Sequence, residues 1–199
     1  EYVYATGAAH GKRVQAMGGA KNHAIIMPDA DMDQVVNDLI GAGYGSAGER
    51  CMAISVAVPV GEQTAEKLVE KLVPRVQALK VGISTAADSD YGPLVSKAHM
   101  DKVSAYIDTG VKEGAELLVD GRGFKLQGYE NGFFLGGSLF DKVTPEMQTY
   151  TEEIFGPVLQ IVRAKDFDEA AALATMDQAG LCLIHISRGR GTDAVKSRQ

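Results

Sequence analysis

The chain has 199 residues, 20 of them Lys or Arg against 26 Asp or Glu, for a formal net charge of −6. That balance argues against a nucleic-acid binder or a partner for an anionic membrane, and no apolar run approaches the ~18 residues of a membrane span. The two cysteines, Cys51 and Cys182, form neither a disulfide framework nor a Cys-x-x-Cys zinc pair, so a reducing compartment without a structural metal is expected.

Hydrophobic periodicity predicts the elements in order. Residues 13–17 read as a short strand closed by the Gly18-Gly19 turn, and 24–27 as a second short apolar run. Asp31 is placed to cap a helix carrying Val35, Val36, Leu39 and Ile40 on one face. The glycines that follow, Gly41, Gly43, Gly45 and Gly48, weaken that helix and let backbones approach closely. Residues 52–60 read as a buried strand. An amphipathic helix over 62–80 turns Leu68, Leu72, Val76 and Leu79 inward, with Pro74 expected to kink it or end its first part.

Residues 81–93 form a polar loop. Ser96 caps a third helix, with Val103, Tyr106, Ile107 and Val111 expected inside. Residues 115–119 read as a strand, 121–132 as a glycine-rich excursion, 133–135 and 158–162 as strands, and 166–176 as a last helix. Strands separated by long helices call for right-handed crossovers, hence an α/β fold: a doubly wound, mostly parallel sheet with flanking helices. No linker interrupts the chain, and the one expected boundary lies near Gly18-Gly19. The opening residue is Glu1 rather than Met, which is read as a processing boundary, a cloning boundary or a fragment.

Cys51 is the first candidate for chemistry. It lies in Gly45-Ser46-Ala47-Gly48-Glu49-Arg50-Cys51-Met52-Ala53, where small neighbours leave room for a substrate and Arg50 favours the thiolate. A buried structural cysteine is the competing account, and the residues alone leave both open. The second candidate is Thr151-Glu152-Glu153-Ile154-Phe155-Gly156-Pro157-Val158. A carboxylate there can accept paired hydrogen bonds from a ribose diol and the aromatic can stack on a flat ring. From physics alone, a solvated acidic loop with one core Phe explains that segment better.

The histidines, His10, His23, His99 and His185, are scattered without metal-ligand spacing. His23 is the one a cysteine hydrolase would recruit, but nothing orients it. Gly7-Ala8-Ala9-His10-Gly11-Lys12 lacks the preceding strand and following hydroxyl of a phosphate loop and is rejected as one. Arg188-Gly189-Arg190-Gly191 reads as a flexible solvated tail in an acidic chain.

Taken together, these segments resemble the aldehyde dehydrogenases. Gly48-Glu49-Arg50-Cys51 is similar to the segment of that family's catalytic cysteine, and Glu152-Glu153-Ile154-Phe155-Gly156-Pro157-Val158 to its cofactor-side motif. Ala16-Met17-Gly18-Gly19 stands where most members have Glu-Leu-Gly-Gly. The nearer resemblance is to the CoA-acylating methylmalonate-semialdehyde branch. It is carried by His10-Gly11-Lys12-Arg13-Val14-Gln15, Gly19-Ala20-Lys21-Asn22-His23, Arg50-Cys51-Met52-Ala53 and Gln127-Gly128-Tyr129-Glu130-Asn131-Gly132-Phe133-Phe134. These occur in the same order over residues 10–175, and beyond Gly180 the match fades, so Cys182 receives no role.

The resemblance implies NAD as cofactor, coenzyme A as co-substrate and a semialdehyde as substrate. It implies Cys51 as nucleophile, Arg50 as partner of the substrate carboxylate, Glu153 on the nicotinamide ribose and Phe155 beside the nicotinamide. Ala16 replaces the general-base Glu of hydrolytic members, which favours a thiol acceptor over water. It further implies that residues 1–18 are the tail of a dinucleotide-binding domain and 19–199 a catalytic domain truncated at its C-terminal end. A homo-oligomeric full-length parent in the cytoplasm or mitochondrial matrix is expected, with no nucleic-acid or membrane partner. The alternatives kept open are a folded but catalytically incompetent fragment and a hydrolytic aldehyde dehydrogenase. A cofactor-free cysteine hydrolase stands further behind.

Overall fold

The computed structural model describes residues 1–16 and 18–175, together with the backbone of residues 183–186. Its centre is a six-stranded sheet. β1 (Asn22–Ile26) and β2 (Ile54–Pro59) lie in the middle, followed outward by β5 (Val158–Ile161), β4 (Ser138–Asp141) and β3 (Glu116–Val119), with β6 (Leu183–Ile186) on the other edge; the order is β3-β4-β5-β2-β1-β6. All neighbours pair in parallel except β3 with β4. Every position of β1, β4 and β5 is buried. That is the property of strands covered on both faces, and it explains why β1 and β5 read as short apolar runs without alternation.

The helices follow their caps and stripes. Asp31 opens α2 (Met32–Leu39), its carboxylate accepting from the amides of Asp33 and Gln34, and α2 buries Val35, Val36 and Leu39. α3 (Glu62–Gln77) buries Thr64, Ala65, Leu68, Leu72 and Val76. Contrary to the expectation of a break, α3 runs on through Pro74. Pro74 and Glu70, whose carbonyl loses its partner, both lie on the exposed side of the helix. Water can satisfy the freed group there.

Ser96 opens α4 (Lys97–Glu113) by accepting from the amide of His99, and Gly114 closes it at φ +99°. Its seam is Val103, Ile107 and Gly110, not Val111, which is 46% exposed. Gly110 lets the helix settle against Phe140, whose Cζ lies 3.0 Å from where a Cβ would be. Tyr106 is only half-buried.

Two further expectations fail. The expected strand at 13–17 is not formed: residues 13–16 are irregular, and all but Val14 are exposed. The preceding residues instead form α1 (Tyr2–Ala9), which buries nothing. Residues 133–135 bury Phe134 and Leu135 without joining the sheet; the strand lies at β4, three residues later. β4 was hidden by its polar ends. Asp141 is buried against Arg163, and the Ser138 hydroxyl accepts from the Gly121 amide. The short α5 (Gln148–Thr151) has no periodicity to betray it. Among the described residues the last helix is α6 (Phe167–Thr175); Met176, Cys182 and the 188–191 patch lie outside them.

Candidate functional site

The segment between α2 and β2 builds the first half of the site. After α2 the chain widens into a π-type turn (Ile40–Tyr44) and then tightens through Gly45–Gly48. Ser46, Ala47 and Gly48 take φ values of 55°, 57° and 69°, three consecutive left-handed residues. Such a run reverses the chain sharply and persists only where its surroundings hold it. Gly48 is packed so closely on Gly156 that a Cβ would stand 2.1 Å from the Gly156 carbonyl oxygen.

Cys51 follows on an exposed turn. Asn22, buried at the start of β1, fixes that turn by donating from Nδ2 to the carbonyls of Cys51 and Ala53, each at 2.8 Å. Arg50 donates from Nη2 to the carbonyls of Gly41 and Ala42, at 2.7 and 3.3 Å. Two of its five donors are thereby spent on the turn and the rest of the fork is left for an acceptor.

The second half precedes β5. Lys21 is 3% exposed, and its ammonium donates to the carbonyls of Thr149 at 2.8 Å and Glu152 at 2.7 Å. Lys21 and Asn22 are consecutive, so one end of β1 secures both segments. The Glu153 carboxylate packs on Gly19, with Oε2 2.8 Å from where a Cβ would be. Phe155 is 37% exposed and adopts φ +57°. Arg50 and Gly48 face Glu153, Phe155 and Gly156 across one narrow cleft, which Asn22 also lines.

A second cleft opens beside Glu153, lined by Gly19, Lys21, Lys102, Tyr106 and Glu152. There the Tyr106 hydroxyl donates to Glu152, and Gln148 donates to the same carboxylate at 3.0 Å. These two bonds, Tyr106's first, hold Glu152 below the usual carboxylate range. The same bond, helped by burial and the carboxylate charge, pushes the Tyr106 phenol up to about 12.

The structure therefore brings Arg50 together with Glu153 and Phe155 in one cleft at the amino-terminal ends of β1, β2 and β5, and Cys51 follows Arg50 on the adjoining exposed turn without itself lining that cleft. Doubly wound sheets more often bind at the carboxyl ends, so sheet topology alone would have pointed to the wrong edge. The buried-cysteine account of Cys51 is excluded by its exposure. His23 is not poised for a hydrolase: its Nδ1 pairs with the Lys21 carbonyl and its Nε2 with the Tyr150 hydroxyl, both at 2.8 Å. His10 rests on the Thr6 carbonyl. Gly7 lies inside α1, as the rejection of a phosphate loop requires.

Three contributors were missed: Lys21, Asn22 and His99. The signal for the first two was present, since a polar Lys-Asn-His run immediately before a buried apolar strand must satisfy itself internally. Among the described residues no His, Cys, Asp and Glu side chains gather in a metal-holding group, and no helix is long and apolar enough to cross a membrane.

The fold is thus a mostly parallel α/β sheet with an exposed cysteine on the turn next to a cleft that Arg50, Glu153 and Phe155 line. The chain belongs to the aldehyde dehydrogenase family, whose profile matches residues 1–186. It is 62% identical over 180 residues to malonate-semialdehyde dehydrogenase of Pseudomonas aeruginosa, covering 90% of this chain and 36% of that protein. It is 46% identical over 180 residues to the mitochondrial acylating methylmalonate-semialdehyde/malonate-semialdehyde dehydrogenase of Bos taurus, covering 90% of this chain and 33% of that one.

Among solved structures it superposes with a TM-score of 0.92 and 58% identity on a Sinorhizobium meliloti protein described as a methylmalonate-semialdehyde dehydrogenase and complexed with NAD, covering 95% of this chain and 38% of that one. The methylmalonate-semialdehyde dehydrogenase of Oceanimonas doudoroffii gives a TM-score of 0.89 at 52% identity, covering 95% and 39%. The chain thus spans little more than a third of the length of these relatives.

Proposed function

We propose that this chain carries the thiol-bearing part of an NAD-dependent, CoA-acylating dehydrogenase of malonate or methylmalonate semialdehyde. The observation that carries the reading is the placement of exposed Cys51, held by Asn22, on a loop packed through Gly48 against the Glu153–Phe155 segment. The names of the relatives supply the substrate class and the acyl acceptor.

Cys51 attacks the aldehyde carbon through sulfur and forms a thiohemiacetal. NAD, when bound, accepts the hydride whose loss turns that adduct into a thioester on Cys51. The carboxylate leaves as carbon dioxide, its bonding pair taking up a proton at the adjacent carbon. The thiol of coenzyme A then displaces Cys51 and carries off acetyl or propionyl. Arg50, anchored to the Gly41 and Ala42 carbonyls, offers its remaining donors to the substrate carboxylate. Ala16 stands where hydrolytic relatives keep their general-base Glu, so water is left poorly activated.

The residues present fit part of NAD. A carboxylate against the bare backbone of Gly19 leaves room for a ribose diol at Glu153, and Phe155 keeps more than a third of its surface free for a flat ring. In the same reading, residues 1–18 are the tail of a dinucleotide-binding domain. α1 supports this, since it buries nothing and exposes Tyr2, Val3 and Tyr4. Residues 19–199 are the catalytic domain, incomplete at its C-terminal end. Homo-oligomeric assembly of the whole enzyme, in the cytoplasm or the mitochondrial matrix, belongs to this reading too.

A second reading rests on the small share of the relatives that the chain spans: a folded unit that keeps the thiol pocket and does not turn over alone. Incubation with NAD, coenzyme A and malonate semialdehyde separates the two. Sustained, CoA-dependent formation of acyl-CoA and NADH, lost in Cys51→Ala, supports turnover by this chain. Absence of NADH supports the second reading. Release of free acid without coenzyme A contradicts the acylating assignment.

A further inference from the structure

One side chain bridges the two halves of the cleft. His99, in the first turn of α4, places Nε2 at 2.6 Å from the Phe155 carbonyl oxygen and 3.3 Å from Oε1 of Glu49. A carbonyl can only accept, so Nε2 carries the proton and donates. Glu49 stands two positions before Cys51, and its Oε1 also accepts from the Val95 amide at 3.2 Å. The His99 and Glu49 side chains are each only 15% exposed. Neither contact is therefore a loose surface pairing of the kind that contributes little.

The bridge lands on an unusual backbone. Phe155 sits at φ +57°, a conformation a bulky residue adopts only at an energetic cost and keeps only when its neighbours impose it. His99 imposes it twice: through the hydrogen bond to the carbonyl, and through an edge-to-face ring contact at 6.1 Å and 67°. The Gly48–Gly156 contact sets how near the two segments come but does nothing directional to keep them together.

We propose that His99 is a positioning residue that ties the Glu49–Cys51 loop to the Phe155 segment, so that the thiol and the cofactor-side aromatic move as one unit. The catalytic meaning of the tie rests on the function proposed above, whereas the tie itself does not.

Hydrogen exchange by mass spectrometry on the purified chain tests it, with alkylation of Cys51 by iodoacetamide as a second readout. In His99→Ala, exchange over residues 46–51 and 153–157 rises about tenfold while β2 and β5 keep their protection. The alkylation rate changes in step. His99→Gln, which keeps an N–H donor of similar reach, returns both segments toward the parent values. Glu49→Ala loosens 46–51 and spares 153–157.

Unchanged exchange in either segment of His99→Ala overturns the proposal. So does a rise shared equally by β2 and β5, the mark of general destabilisation. A chain in which Cys51 resists every aldehyde yet shows the expected exchange pattern refutes the proposed function and keeps the tie. The converse result refutes the tie alone.

Discussion

Gly48 and Gly156 meet backbone to backbone: a Cβ on Gly48 would lie 2.1 Å from the Gly156 carbonyl oxygen and 2.6 Å from its carbonyl carbon. Gly156 cannot retreat, because a Cβ there would itself meet Val103 of α4 at 2.7 Å. The loop carrying Cys51 is thus stacked on the segment carrying Phe155, and that segment on a helix, with nothing larger than hydrogen admitted at either step. Gly48 has a second reason to be glycine, its φ of +69°.

Gly48→Ala should therefore destabilise the chain by about 2 kcal/mol or more, combining backbone strain with overpacking. Urea denaturation followed by circular dichroism measures this. An unchanged midpoint would show that the two segments are not in contact.

Asn22→Ala removes the donor to the Cys51 and Ala53 carbonyls, and part of that site is buried. A loss of about 1–3 kcal/mol is expected for acceptors left unsatisfied out of water. Faster iodoacetamide alkylation of Cys51 should accompany it as the turn loosens. If stability falls and the alkylation rate stays constant, Asn22 supports the sheet without controlling the thiol.

Arg163 offers a control remote from the thiol. It donates from Nε at 3.1 Å and from Nη2 at 2.5 Å to Asp141, which is only 2% exposed, and it also reaches Glu62 and Glu66 on α3. Arg163→Ala strands the buried Asp141 carboxylate, and a loss of about 3–5 kcal/mol follows. Below its lowered melting temperature, the variant should still alkylate at Cys51 at the parent rate. A change in that rate would mean the ion-pair cluster reaches the site.

Alkaline pH should unfold the chain through its phenols. The Tyr106 phenol rises from 10.0 to about 12, chiefly by donating to Glu152. Burial raises Tyr44 and Tyr91 as well. For each, the folded state holds its proton more tightly than the unfolded state. For Tyr106 the stabilisation is therefore complete below pH 10.0 and is lost as pH climbs through about 12, while for the more strongly raised Tyr44 and Tyr91 the loss begins in the same range and continues above it. Denaturation midpoints at neutral pH, near pH 10 and near pH 12 check the sign, with tyrosinate absorbance reporting ionisation. Tyr106→Phe should flatten the fall. A midpoint that rises across the window would contradict the assignment.

What could be read from the residues divides along physical lines. Runs such as 52–60 and 158–162 announced buried strands because parallel strands are apolar on both faces. Asp31 and Ser96 announced helix starts because a side-chain acceptor is needed there, and both caps are in place. Ser138 and Asp141 concealed β4, since their partners Gly121 and Arg163 lie 17 and 22 residues away. Pro74 misled because its effect depends on which side of the helix faces water. Of the four candidate residues named from sequence, Arg50, Glu153 and Phe155 line one cleft, and Cys51 lies on the adjoining exposed turn. Asn22, Lys21 and His99 received no site role from the sequence because their partners are backbone carbonyls far along the chain.

The central claim is that Cys51 is a reachable, reactive nucleophile, and stoichiometric labelling tests it most directly. The chain should take up one equivalent of an aldehyde-mimicking or thiol-directed reagent at Cys51, be protected by malonate semialdehyde, and take up none there as Cys51→Ala. Labelling that persists unchanged in Cys51→Ala would contradict the account.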